Sequence, residues 1–115
     1  MRRVTEIAAV LVDAGLIALV SLISPFRSER ETARHRLDAG EFIEVHIATP
    51  LADCESRDPK GLYRRARAGE LPNFTGINQP YEAPAAAEIT IDTTATSADA
   101  ACELIVSYLR EHHYL

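Results

Sequence analysis

The stretch "RDPKGLYRRARAGELPNFTGI", Arg57 to Ile77, holds four of the chain's eleven arginines, its only lysine and three of its five glycines. Basic side chains clustered between glycine turns suit the holding of an anion. The general expectation is a polyanion patch, and Lys60 sharpens it. Eleven of the twelve basic residues are arginine, so a sole lysine placed in the "DPKG" turn points to a specific geometric need. By contrast Arg64, Arg65 and Arg67 read as a solvated helix face, part of which could close over a ligand as a lid.

The whole molecule does not share the local charge. Net charge is -5 and the pI about 5.3, so the chain as a whole repels nucleic acid and anionic membrane, and an anion site must arise from local clustering. With 47% hydrophobic and 25% charged residues over 115 positions, the composition is that of one soluble globular domain with a real core. Cys54 and Cys102 make no CxxC pair and are expected to be buried fillers in a reducing cytoplasm. His35 and His46 have no partner at ligand spacing, and His112 and His113 are adjacent, so no metal cage is expected.

The start of the chain resembles a signal peptide, but Glu6 and Asp13 interrupt it. The uncharged run from Ala14 to Phe26 is 13 residues, short of the ~20 that a membrane span needs. Val4, Ile7, Ala8 and Leu11 recur at helical spacing instead, which predicts a helix over 2–14 with Gly15 beyond its end. "LIALVSLI", Leu16 to Ile23, reads as a strand covered on both faces and stopped by Pro25. Ser28 and Glu31 form a capping box for a helix over 28–37. A strand over 41–49, a short helix from Leu51 to Arg57, a helix over 62–68, an ordered loop over 72–84 and a strand over 88–92 follow. Ser97 caps a last helix with Ala98, Ala101, Cys102, Ile105 and Leu109 as its buried stripe. Strands alternating with helices predict a parallel α/β sheet.

In such a sheet the ligand lies beyond the carboxyl ends of the strands. Three loops are expected there: "SPFR", "TPLADCESRDPKG" and "TTATS". Taken singly, a Ser-Pro pair after a strand is an ordinary turn, and a loop phenylalanine is more often packed than stacked.

Taken together, "RRVTEIA", "DAGLIALVSLISPFRSER" and "EFIEVHIATPLADCESRDPKGLYRRARAGELPNFTGINQPYEAP" resemble adenylylsulfate kinase over nearly the whole chain. The resemblance implies the three-layer parallel sheet of the P-loop kinase fold. It also implies ATP-dependent phosphorylation of adenosine 5'-phosphosulfate (APS) at its 3'-hydroxyl, giving the 3'-phosphorylated product, PAPS. Residue by residue, it puts Ile23, Ser24, Lys60, Asn73 and Phe74 against APS. Ser24 matches a serine described in the family as a transient phosphoserine, although direct in-line transfer needs only a positioning role. Arg57 and Thr96 fall where the adenine of ATP is held. A loop lysine can meet a sulfate or phosphate oxygen as a point charge, and a phenylalanine can offer adenine a flat face.

One departure qualifies this. A P-loop kinase needs G-x-x-x-x-G-K-[ST] to cradle phosphates and serve Mg²⁺, and no Gly-Lys pair occurs here. The resemblance puts that motif, and most ligands of Mg²⁺, before Met1. Residues 1–115 are therefore expected to form a single partial domain, truncated at the N-terminus and inactive alone, with a gap in the sheet where the missing strand belongs. The partners implied are APS and ATP, with a homodimer or a fusion to ATP sulfurylase components in the full-length enzyme, in the cytoplasm. The alternative is a nucleotide-binding regulatory or scaffolding module of sulfate-activating enzymes.

Overall fold

The computed structural model describes residues 1–115. Helix α1 spans Arg2–Asp13 and ends in a Schellman motif: Gly15, at φ +84°, donates its N–H to Val12 O, and Leu16 donates to Leu11 O. Only glycine takes this left-handed conformation without strain, as the sequence led one to expect. The inward face of α1 differs from the expected stripe. Ala9 is buried and Val4, Ala8 and Val12 are half-buried, whereas Ile7 and Leu11 are exposed. Here α1 packs on α2 (Arg27–His35), and the pair is clamped at the rim by Arg36 and Glu6, 3.0 Å apart.

Leu16–Ile23 forms no strand. From Ile17 to Ile23 no backbone group bonds to another backbone group, and Leu19 is 88% exposed. A strand exists only through a partner, and none is beside this segment. Between it and the next strand lies an open cleft of about 400 Å³, lined by Ala18, Val20 and Leu22 on one side and Ile43, Val45 and Ile47 on the other.

Helix α2 starts earlier than the expected capping box. Phe26 is its N-cap, with no side-chain cap of its own. Ser28 lies inside the first turn, where its carbonyl accepts from Thr32 Oγ1 at 2.8 Å. The exposed N–H of Arg27 donates instead to Glu82 Oε2, 2.8 Å away and 55 residues along the chain.

The sheet has two parallel strands, β1 (Val45–Ile47) and β2 (Ile89–Ile91), in the register Val45–Ile89, His46–Thr90 and Ile47–Ile91. Ile91, 2% exposed, is the largest fully buried side chain. Ala9, Ala33 and Ala66 complete an apolar core that is thin for this length. Between the strands run α3 (Leu51–Arg57) and α4 (Leu62–Arg67). Helix α5 (Ala98–Glu111) closes the chain, and Ser97 Oγ accepts the N–H of Ala100 at 3.2 Å as its cap. Its inward stripe is Ala101, Ile105 and Leu109, all half-buried. Ala98 and Cys102 are exposed and Cys54 is half-buried, so neither cysteine is a buried filler. The long α5 meets too little partner surface to bury a full stripe.

Candidate active site at the carboxyl ends of the strands

The turn that carries Lys60 is built by Asp58 and Gly61. Gly61 donates its N–H to Asp58 O at 3.0 Å and sits at φ +65°. The Asp58 carboxylate accepts the N–H groups of Tyr63 (3.0 Å) and Arg64 (3.1 Å), satisfying two orphan donors of α4 from outside the helix. Lys60 projects from this turn exposed and without an ion pair.

The neighbouring arginines are mostly engaged. Arg65 pairs with Glu70 at 3.1 Å and Arg67 with Glu55 at 2.7 Å. The hydrogen bond from Arg67 holds the Glu55 carboxyl below its ordinary range. Arg57 donates to Thr93 Oγ1 (2.7 Å) and Thr93 O (3.0 Å). The expected polyanion patch is thereby reduced: within Arg57–Arg67 only Lys60 and Arg64 carry charge without a carboxylate or hydroxyl partner.

Asn73 and Phe74 open a tight loop that folds on itself. Phe74 O accepts from the N–H groups of Ile77, Asn78 and Gln79, each at 3.1 Å. The Phe74 N–H donates to Asn78 Oδ1, and Asn73 Oδ1 accepts from Gln79 Nε2 at 3.0 Å. Gly76, at φ +88°, seats the loop on α3. A Cβ there would meet Leu51 Cδ1 at 3.1 Å, so the position combines a left-handed backbone with a close approach. The Phe74 ring is half-buried and meets Tyr63 edge-on, centroids 5.2 Å apart at 74°. Burial pushes the Tyr63 phenol up, and Cys54 beside it adds to this.

Arg57 and Thr96 each bond to the segment after β2, Arg57 to Thr93 and Thr96 to Asp92. Thr93, which Arg57 grips, is hydrogen-bonded to Thr49 Oγ1 beyond β1. Thr96 is half-buried and donates its N–H to Asp92 O at 3.1 Å. Hydrogen bonds from Thr94 hold the Asp92 carboxyl below its ordinary range. No group of three or more His, Cys, Asp or Glu side chains is gathered as a metal cage.

Ile23 and Ser24 lie at the mouth of the cleft. Ile23 is 69% exposed, and Ser24, at φ +36°, donates its hydroxyl to Leu22 O at 3.3 Å. No hydrogen bond joins Ser24 to Lys60, Asn73 or Phe74. The link runs through the far end of the Asn73–Pro84 loop: Glu82 donates its N–H to Pro25 O at 2.8 Å, and Arg27 donates to Ala83 O at 2.9 Å.

Sequence reasoning passed over the residues that hold these parts in place. Arg30, Glu44, Tyr63, Glu82 and Thr93 all act through partners remote in sequence. The one local signal was the Arg30–Arg34 pair, four apart on α2 and so on one face. Arg34 makes a two-pronged bond to Glu88, at 2.6 and 2.9 Å.

Residues 1–92 match the family model described as adenylylsulphate kinase. The chain belongs to the adenylylsulphate kinase family. It is 56% identical over 109 residues to an adenylyl-sulfate kinase of Shewanella sp. (strain W3-18-1), covering 95% of this chain and 53% of that protein. Over all 115 residues it is 53% identical to the adenylyl-sulfate kinase of Shewanella amazonensis, covering 58% of that protein. The chain thus spans about half the length of the curated relatives it matches. The solved APS kinase of Mycobacterium tuberculosis, in complex with AMPPNP and APS, superposes with a TM-score of 0.80 at 42% identity. That match covers 90% of this chain and 61% of the other. A small α/β domain with a parallel sheet agrees with this kinase fold. The adenylylsulphate kinase resemblance drawn from the "SPFR" and "DPKG…NFTGI…YEAP" motifs is thereby established.

Proposed function

We propose that this chain forms the substrate side of an adenylylsulfate kinase, which transfers a phosphoryl group from ATP to the 3'-hydroxyl of APS to give PAPS in sulfate assimilation. The observation that carries the reading is Lys60: the chain's one lysine stands unpaired on a turn rigidified by Asp58 and Gly61, next to a helix that braces Phe74.

Phosphoryl transfer depends on positioning and charge rather than covalent work by the protein. In this reading the Lys60 ammonium meets a sulfate or phosphate oxygen of APS, the Phe74 ring lies against its adenine, and Asn73 and Ile23 complete the wall. Ser24 Oγ acts as a hydrogen-bonding or phosphoryl-accepting group at the mouth of the cleft. Arg57 and Thr96, each bonded to the segment after β2, hold the adenine of ATP. ATP arrives with Mg²⁺, but no set of side chains here fits a magnesium site, and no step through the metal is assigned to them. The reading includes a cytoplasmic setting and a homodimer or a fusion with ATP sulfurylase components. No helix is long and apolar enough to cross a membrane.

The test is a hybrid in which this chain is joined to the part of the Shewanella sp. relative that it does not span. The hybrid is expected to form labelled PAPS from APS and ATP, and the 115-residue chain alone is expected to form none. A second reading is a nucleotide-binding module attached to sulfate-activating enzymes. That reading predicts APS binding by calorimetry but no turnover in the hybrid.

A further inference from the structure

Arg30 is the one charged residue that is buried, 7% exposed, and it faces three segments at once. Its Nη1 donates to Ser24 O at 2.6 Å and its Nη2 to Glu82 O at 2.5 Å. Its Nε lies 2.7 Å from Glu44 Oε1, just before β1. Glu44 Oε1 has no hydrogen bond of good geometry, so charge alone holds that contact. The guanidinium also lies over the Tyr81 ring, 5.7 Å from its centroid. A guanidinium can fill all three directions because its donors are fixed in a planar fork, which an ammonium does not reproduce.

Ser24 needs such a partner. At φ +36° it sits in a strained backbone region that a non-glycine residue keeps only where surrounding contacts hold it. Arg30 grips the carbonyl of that residue. The same guanidinium grips Glu82, whose N–H is bonded to Pro25 O and whose carboxylate takes the N–H of Arg27. Glu82 lies on the Asn73–Pro84 segment, which also carries Phe74.

Building on the kinase reading above, we propose that Arg30 is a positioning residue that latches the Ser24 turn to the Glu82 loop and thereby sets Ser24 against the wall that carries Phe74. The donors of Arg30 are taken by Ser24 O, Glu82 O and Glu44. Its effect is on where Ser24 and the loop stand relative to each other.

Arg34 provides the comparison. It lies one turn further along α2 and bonds Glu88 and Phe42 O, but neither Ser24 nor Glu82. In the hybrid, hydrogen exchange read by mass spectrometry is expected to speed up in residues 22–27 and 79–84 together in Arg30→Gln, and in neither segment in Arg34→Gln. Equal acceleration in both variants, or none in Arg30→Gln, overturns the latch. In the hybrid, Arg30→Gln is expected to raise KM for APS about tenfold, the loss of one to two charge-assisted hydrogen bonds, with KM for ATP unchanged. A lowered melting temperature with both KM values unchanged overturns the positioning role. An unsubstituted hybrid without turnover contradicts the kinase reading instead, and the exchange result then decides the latch.

Discussion

Tyr63 and Phe74 meet edge to face, ring centroids 5.2 Å apart at 74°. Through this contact α4 fixes the attitude of a loop aromatic that has no backbone bond to that helix. Edge-to-face pairs contribute about 0.5–1.5 kcal/mol beyond their buried area. Tyr63→Ala in the hybrid is therefore expected to weaken APS binding about three- to tenfold, and Tyr63→Phe, which keeps the ring, is expected to restore it. Calorimetric titration of APS checks both; equal binding by wild type and Tyr63→Ala counts against a role for the Phe74 face.

Lys60 separates function from stability. It has no ion-pair partner in the fold, so Lys60→Ala is expected to leave the melting temperature within the small range of a surface change. The same variant is expected to lose about 1.5–3 kcal/mol of APS binding, the worth of a charge-assisted bond. Lys60→Arg is expected to recover only part of it, because a planar fork does not substitute for a point charge. A melting temperature that falls in step with affinity would show a structural lysine instead.

The sheet carries a pH signature at Glu88. Burial pushes the Glu88 carboxyl up, but the hydrogen bond from Arg34 and the N–H of Glu44 outweigh it and hold it below the ordinary value of 4.5. A carboxyl depressed in the folded state binds its proton more tightly when unfolded. Its stabilisation is thus present above the ordinary value and is lost as pH falls through the folded one. Urea midpoints of the hybrid are expected to drop between pH 6 and about pH 3, and Glu88→Gln is expected to flatten that slope while lowering the midpoint at pH 6. An unchanged slope in Glu88→Gln would remove Glu88 from the acid response.

What was legible in the sequence follows what is local. Gly15 as helix stop, Ser97 as cap, the "DPKG" turn and the bounds of α3 depend on residues within a few positions, and all appear as read. The Leu16–Ile23 strand does not, because a run of β-branched and apolar residues becomes a strand only when a neighbour supplies hydrogen bonds. Ser28 loses the N-cap to Phe26 because Glu82, far along the chain, takes the N–H of Arg27. Arg57–Arg67 reads as a basic patch until Glu55, Glu70 and Thr93 engage its arginines. The kinase resemblance came from motifs, while the latch at Arg30 came only from the fold, since it depends on Glu82, 52 residues along the chain, closing over the Ser24 turn.

Unpaired apolar backbone has a cost in solution. Leu16, Ile17, Leu19, Val20, Leu22 and Ile23 are all exposed on a segment that, from Ile17 to Ile23, bonds to no other backbone. Such edges associate with other chains. The isolated 115-residue chain is expected to scatter light at micromolar concentration and to unfold without a sharp transition, and the hybrid is expected to do neither. A reversible two-state melt from a monomeric isolated chain would contradict this.

The central claim is that these residues are the substrate side of an adenylylsulfate kinase. Its most direct test is the rate of phosphoryl transfer from γ-labelled ATP to APS by the hybrid, compared with the same hybrid carrying Lys60→Ala. Label in PAPS from the first, together with a fall in kcat/KM for APS of about tenfold or more in the second, is the predicted result. Equal rates from the two proteins, or no labelled PAPS from either, would contradict it.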